Sequence, residues 1–307
     1  MRVHLDTDLG SDPDDVCAMA MLLGWPDVDV LGVTTSADPG GRRAGYAAHC
    51  LELAGRAEIP VVAGAGVSSS HQDAATLAED RRYWPTRVDP RPANPGVALD
   101  LMRDSIDRGA TVIAIGPYTN LALLAAARPG SLRHTSVVVM GGWIEPPDAG
   151  LPAWGPERDW NVQWDTRAAQ IVAATAELTL STLPVSLKTH LRAADLPALR
   201  ALGPLGELIA RQSEAHAADT GKADLGPAYP GLPDDLLNFH YDPLACAVAL
   251  GWPGAVVEEM RLRTAVQGGV LRFERDEAGH RARVVVDVDG PGFSQAWLAA
   301  VAVACAG

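Results

Sequence analysis

The chain has 307 residues, 48% of them hydrophobic, and a formal net charge of −13. That is enough apolar material for a large core, and the acidic balance argues against nucleic acid or an anionic membrane surface as a partner, because both are bound through basic patches. Cys17, Cys50, Cys246 and Cys305 are far apart with no CxxC, no stretch reads as a secretory signal, and no apolar run is long enough to span a membrane, so buried free thiols and a cytoplasmic protein are expected.

Val3 to Leu5 reads as a short strand. It runs into Asp6, Asp8, Asp12, Asp14 and Asp15. After them, Val16, Met19 and Leu22/Leu23 recur at helical spacing. Pro13 suits the first helical position, and Asp12 suits the N-cap before it. The acids therefore sit where a strand ends and a helix begins, on the edge where open α/β sheets bind ligands. Helix capping accounts for Asp12, since a carboxylate there satisfies free N–H groups. It does not account for Asp6 and Asp8 on the strand side. Like charges this close need a counter-charge. An all-oxygen set without Cys or His suits a hard cation, Ca²⁺ or Mg²⁺, rather than Zn²⁺.

Further along, 28–35 reads as a second strand ending in a polar cluster at Thr34 to Asp38, 42–57 as a helix and 59–63 as a buried strand. Strand and helix alternate at a spacing that predicts a parallel sheet with right-handed crossovers. The stretch 64–95 is irregular and too long for an ordinary connection. His71, Tyr83 and Trp84 could meet a ligand there; the plainer reading is a solvated surface loop. Helices are expected over 96–108, 121–127 and 166–174, and strands over 110–115, 135–140 and 178–187. The stretch 191–217 reads as mostly helical and 219–239 as irregular. A helix over 243–250 follows His240-Tyr241-Asp242. Strands over 256–263, 270–273 and 282–288 and a helix over 293–304 close the chain. With no repeat and no dividing linker, the expectation is one α/β domain over 1–307: an open, mostly parallel, Rossmann-like sheet flanked by helices.

Several strand-end clusters would share one sheet edge. The stretches LDTDLGSDPDDVCAMA, VLGVTTSAD, IAIGPYTNLA, VVVMGG, RDWNVQWD and YDPLACAVAL together resemble the inosine–uridine-preferring nucleoside hydrolase family, in that family's order and over nearly the whole chain. The resemblance implies the nucleoside hydrolase fold, hydrolysis of a ribonucleoside to free base and ribose, one bound Ca²⁺, and a homo-oligomer, dimer or tetramer. It implies Asp8, Asp15, Asp242 and the main-chain carbonyl of Thr119 as metal ligands, with Asp8 also the general base toward a metal-bound water. Asp14 and Asn161 would hold ribose hydroxyls, Asp159 would lie near the sugar 5′ end, and Trp160 would pack on the sugar. His240 would protonate the leaving base, with Tyr241 and His71 beside it, and Asp38 or Pro39 stands near the place of the family's usual Asn. The residue types suit the chemistry: positive charge develops on the ribose, an acidic pocket stabilises it, and the leaving base must gain a proton or be stabilised as an anion.

The chain departs from the commonest family pattern. Its first motif is two residues longer, which adds Asp12; the histidine of the usual His-Asp pair stands one place earlier, as His240; and an Asn before Asp159 is missing. Two other readings remain. A haloacid-dehalogenase-type phosphatase also opens with a strand and DxDx, using Mg²⁺ and an aspartyl nucleophile, but it needs a later lysine, and Lys188 and Lys222 stand in unconvincing contexts. A ribose- or nucleoside-binding protein without turnover would keep the acids and lose the proton donor.

Overall fold

Short β-branched and apolar runs make strands where pleated, half-buried surface suits them. This computed structural model describes residues 1–70, 77 and 80–306. Among them the strands are β1 (Arg2–Thr7), β2 (Asp29–Thr35), β3 (Val61–Ala63), β4 (Thr111–Ala114), β5 (Ser136–Met140), β6 (Glu177–Ser181), β7 (His190–Arg192), β8 (Leu236–Phe239), β9 (Ala255–Gln267), β10 (Val270–Arg275) and β11 (His280–Val288). Nine form one sheet in the order β10-β9-β11-β6-β5-β4-β1-β2-β3. Every pair from β3 across to β11 is parallel, and only β9 runs against its neighbours β10 and β11. The open, mostly parallel sheet expected from the sequence is therefore present, with helices on both faces. The first three strands step away from β1 on one side, and β4, β5 and β6 step away on the other. The winding reverses between β1 and β4, and such a reversal leaves a crevice outside the strand C-termini.

One face is covered by the helices Asp14–Gly24, Tyr241–Ala249 and Gly290–Ala306. The first is buried almost all round, Cys17, Ala18, Ala20 and Met21 as well as Val16, Met19 and Leu22, as befits a helix in the middle of a core. Gly24 permits its close crossing with the last helix: a Cβ there would lie 1.8 Å from the Ala300 carbonyl oxygen. Trp297 Nε1 donates to the Cys17 carbonyl at 3.2 Å across the same contact. On the other face, Met102, Leu121, Leu124 and Val172 pack against Val112, Val137, Val139 and Leu180 of the sheet.

Three local expectations give way to tertiary constraints. The strand expected over 178–187 stops at Ser181, and Leu183–Ser186 turns into a helix with Pro184 in its first turn, where the missing N–H costs nothing. The stretch expected to be mostly helical begins with β7 before the helices Leu196–Ala201 and Pro204–Thr220. The stretch expected to be irregular holds the helix Lys222–Ala228 and β8. β7 and β8 form by pairing with each other, His190 opposite Phe239, which no local periodicity encodes.

His4 on β1 is fully buried, its Nδ1 3.0 Å from Ser105 Oγ and its Nε2 3.0 Å from Thr34 Oγ1. Burial lowers its pKa from 6.5 to about 3. Between those values the unfolded chain takes up a proton that the folded chain does not, so this residue's contribution to stability falls as pH falls below 6.5. In urea unfolding at pH 7 and pH 5, the wild type is expected to lose about 2 kcal/mol more than His4→Gln on going to the lower pH. Parallel losses in the two proteins would mean that His4 is charged in the folded state.

Candidate active site

β1 delivers the chain into the crevice beside β4. Asp8 follows directly, and Trp160 Nε1 donates to its Oδ2 at 2.9 Å. Arg43 fixes the turn from beneath, donating to the carbonyls of Asp8 and Leu9 through Nη1 and to the Ala37 carbonyl through Nε. Asp14 and Asp15 open the helix Asp14–Gly24, and Asp242 lies in the first turn of the helix Tyr241–Ala249. Both helix ends favour negative charge through free N–H groups and the helix dipole. Ligand oxygens of Asp14, Asp15 and Asp242 lie within 4.8 Å of one another, and all three residues are buried. Thr7 Oγ1 donates to Asp15 Oδ1.

A cavity of about 630 Å³ opens over these acids. Ile115, Met140, Asp159, Trp160 and Asn161 line it from the ends of β4 and β5 and the helix that follows them. Asp12, Trp154, Arg158, His216, Lys222, Leu225 and Tyr241 also line it. Asp12 Oδ2 lies 3.3 Å from His216 Nε2, and its Oδ1 accepts the Asn238 amide at 2.6 Å. Asn238 Oδ1 accepts from Lys222 Nζ at 3.0 Å, and Lys222 Nζ also donates to Tyr241 Oη at 2.9 Å.

Burial first, and then the neighbouring carboxylates, push Asp14, Asp15 and Asp242 well above the usual carboxylate range. Asp8 is raised by burial as well, against the opposing pull of Arg43 and Trp160. Asp12 behaves differently. Burial works to raise it, but His216 and Lys222, with the hydrogen bonds to Asp14 and Asn238, hold it below the ordinary value. Among the described residues no Lys, Arg or His forms an ion pair with Asp14, Asp15 or Asp242. Converging buried carboxylates that only a positive charge could fully ionise, with no nitrogen or sulfur ligand, fit a hard divalent cation.

Asp8, Asp14, Asp15, Asp159, Trp160, Asn161, Tyr241 and Asp242, all expected at the site, line the cavity. Asp159 turns its carboxylate away from open space: it accepts from the Gly142 N–H at 2.6 Å and the Val162 N–H at 3.1 Å, and burial raises its pKa to about 6. Four other expectations are corrected. His240 is 1% exposed, does not line the cavity, and packs 4.3 Å from the Trp297 ring with neither ring nitrogen hydrogen-bonded. Burial first, and then His190, lower its pKa to about 3, so it does not stand as an imidazolium acid near neutral pH. The turn into the following helix sends His240 into the core and Tyr241 into the cavity. Thr119 is not a lining residue; its Oγ1 donates to Asp165 Oδ2 at 2.9 Å. Ile115, from the same turn, does line the cavity, and its carbonyl accepts from Asn161 Nδ2 at 2.9 Å. Asp38 is buried outside the cavity, where it accepts from Thr35 Oγ1 and the N–H groups of Arg43 and Ala44. Asp12 is not the N-cap of its helix, which starts at Asp14 with Pro13 before it. It does accept the Asp14 N–H at 3.3 Å.

His71 lies outside the described residues. Tyr83 and Trp84 do not line the cavity. Trp84 stacks on Tyr46 at 3.8 Å and donates from Nε1 to the Gly10 carbonyl at 3.0 Å, so it clamps the acidic turn from behind. Periodicity gave no hint of His216, Lys222, Trp154, Arg158 or Asn238. The one signal was compositional: Lys222 is one of two lysines in a chain that otherwise uses arginine.

Residues 3–295 match the sequence model of the inosine-uridine preferring nucleoside hydrolases. The pyrimidine-specific ribonucleoside hydrolase RihA of Shewanella sp. is 31% identical over 225 residues, 68% of this chain and 67% of its own. The purine-preferring ribonucleoside hydrolase from Gardnerella vaginalis superposes over the whole of both chains with a TM-score of 0.81 at 22% identity. A plant nucleoside hydrolase, PpNRh1, superposes over 98% of both chains with a TM-score of 0.79, also at 22% identity. Likeness at such identity establishes the fold.

Adding Ca²⁺ to metal-stripped protein is expected to raise its melting temperature by on the order of 5 °C, and Asp242→Asn should remove most of that rise. An unchanged melting temperature would refute the fit to a divalent cation. His240→Phe is expected to keep kcat within about threefold of wild type, whereas loss of a true general acid costs about 10²–10⁴-fold.

Proposed function

The chain belongs to the inosine–uridine preferring nucleoside hydrolase family, and from that premise we propose that it cleaves ribonucleosides to free base and ribose at a calcium-dependent site with Asp8 as general base. The observation that carries the reading is the convergence of Asp8, Asp15 and Asp242 at the mouth of the β1–β4 crevice, in one cavity with Asn161 and Tyr241. Asp8, Asp15 and Asp242 would hold the cation, with a main-chain oxygen at the end of β4 for which Ile115 is a better candidate than Thr119. Bound there, Ca²⁺ would lower the pKa of a water and fix the sugar hydroxyls.

The chain's own groups have separate tasks. Asp8 accepts the proton of the attacking water; its Oδ2 is already oriented by Trp160. Asp14 and Asn161 orient the ribose hydroxyls, which turns a bimolecular attack into a positioned one. The surrounding carboxylates stabilise the positive charge that builds on the ribose as the C–N bond breaks. Asp159 acts as a positioning residue: by bonding the N–H groups of Gly142 and Val162 it sets Trp160 and Asn161 against the sugar. The departing base meets the wall that holds His216, where a proton or a hydrogen bond can relieve its charge. The reading includes a homo-oligomer and a reducing, cytoplasmic setting. Cys17, Cys50 and Cys246 are buried and unpaired, and no helix among the described residues is long and apolar enough to cross a membrane.

The test is release of base and reducing sugar from a panel of purine and pyrimidine ribonucleosides, with and without a chelator. Turnover that the chelator abolishes is expected. Asp8→Asn should lower kcat by at least about 10²-fold with little change in binding, because an amide can still offer an oxygen but cannot take the proton. Near-normal kcat in that variant would remove Asp8 from the base role. Binding of a nucleoside without any release of base would move the reading to a non-catalytic nucleoside-binding protein.

A further inference from the structure

The cavity holds two cations that the proposed hydrolysis does not use. Lys222 is 8% exposed, and the hydrogen-bond acceptors of its Nζ, Asn238 Oδ1 and Tyr241 Oη, are both uncharged groups. Arg158 lines the same cavity and, among the described residues, makes no ion pair; its guanidinium carbon lies 5.9 Å from the centre of the Trp154 ring. Lys222 Nζ lies 5.6 Å from the centre of that same ring. Trp154, Arg158, Lys222 and Tyr241 thus make one patch of wall. Arg43, the other strong base at the cavity, is different: the carbonyls of Asp8, Leu9 and Ala37 engage it.

Burying an ammonium group is costly unless a charge compensates it. Asp12 makes no direct hydrogen bond to Lys222; the two are joined through Asn238, and their charges attract across it. Burial lowers the Lys222 pKa in spite of Asp12 and Asp14. Arg158 is exposed and solvated, so the buried Lys222 is the cation to which a neutral nucleoside brings no further charge. A phosphate brings one: its oxygens match a guanidinium fork and an ammonium point charge, and a tyrosine hydroxyl adds a donor. The ribose itself limits where that phosphate can be attached. Its C1′ carries the departing base and its 2′- and 3′-hydroxyls face the acids, which leaves the 5′ carbon. Arg158 stands beside Asp159-Trp160-Asn161, the segment set against the sugar.

We infer that this patch binds a 5′-phosphoryl group, so that the preferred substrate is a 5′-phosphorylated ribonucleoside rather than the free nucleoside. The inference rests on the hydrolase reading above. The reaction keeps its balance: the oxygen of water bonds to C1′, the C1′–N bond breaks, a proton goes to the base, and the second product is ribose 5-phosphate. The phosphoryl group is an anchor and takes no part in bond changes.

The experiment compares inosine with its 5′-monophosphate and uridine with its 5′-monophosphate and 5′-diphosphate, using the full chain with Ca²⁺. The monophosphates are expected to exceed the nucleosides in kcat/KM by at least about tenfold, and Arg158→Ala and Lys222→Met should each lower the monophosphate value about tenfold more than the nucleoside value. A diphosphate preferred over the monophosphate would support the patch and assign it the larger anion. A second readout needs no turnover: ribose 5-phosphate should raise the melting temperature more than ribose does, and Arg158→Ala should abolish the difference. If nucleosides react as well as their phosphates and both variants slow the two classes equally, the patch is structural and the inference fails, while the hydrolase reading stands. If no substrate of either class is cleaved, the hydrolase reading fails, and equal thermal shifts with ribose and ribose 5-phosphate would overturn the inference separately.

Discussion

Mutual repulsion among Asp8, Asp14, Asp15 and Asp242 is the constraint on which the rest of the site depends. Four carboxylates brought together out of water cannot all ionise without a counter-charge, and burial with neighbouring charge raises each of them. The fold holds them there regardless. Asp14, Asp15 and Asp242 sit in first helical turns, where the helix dipole opposes part of the cost. Thr7 bonds Asp15, Trp160 bonds Asp8, and Arg43 grips the turn between them. Such an arrangement is unfavourable as a scaffold and favourable as a receptor for positive charge, whether that of a cation or that of a ribose losing its base.

The sheet decides where this receptor opens. β1 is flanked by β2 and β4, and the reversal of winding between β1 and β4 exposes the crevice into which Asp8 projects. The ends of β4 and β5 add Ile115 and Met140, joined by Asn161, whose amide bonds the carbonyls of both. The remaining wall comes from a distant part of the chain, the helices Pro204–Thr220 and Lys222–Ala228 and the strand β8. Asp12 ties the two parts together through His216 and Asn238. Asp12 is thus the carboxylate that links the acidic turn to the wall. A floor suited to cations and a wall that carries Lys222 and Arg158 can coexist because Asp12 and Asn238 stand between them.

Much of this was legible in the chain itself. Strand-to-helix junctions rich in acid, recurring through an alternating α/β pattern, determine the fold class and the edge on which the site lies, because both follow from local periodicity and from the covalent order of strand and helix. The family resemblance, and not local pattern, joined Asp8, Asp15 and Asp242 as one expected ligand set with Asp14 toward the ribose. The facing of single side chains came from neither. His240 and Tyr241 are adjacent, and which one enters the cavity depends on the turn before the helix and on room beside Trp297. Thr119 and Ile115 share one turn, and only the packing of that turn on Asp165 and Asn161 separates them. Asp38 has the composition of a binding residue and the partners of a helix cap. Lys222 lies in a stretch with no periodic signal, and its neighbours Trp154, Asn238 and Tyr241 come from elsewhere in the chain. The sequence by itself determined the acids, their order and the alternation of strand and helix, since those are set by the covalent order and by periodicity near in the chain; the tertiary structure alone decided how the sheet gathers the acids, which neighbours face the cavity and which cations share it, since those depend on long-range packing that no local pattern records.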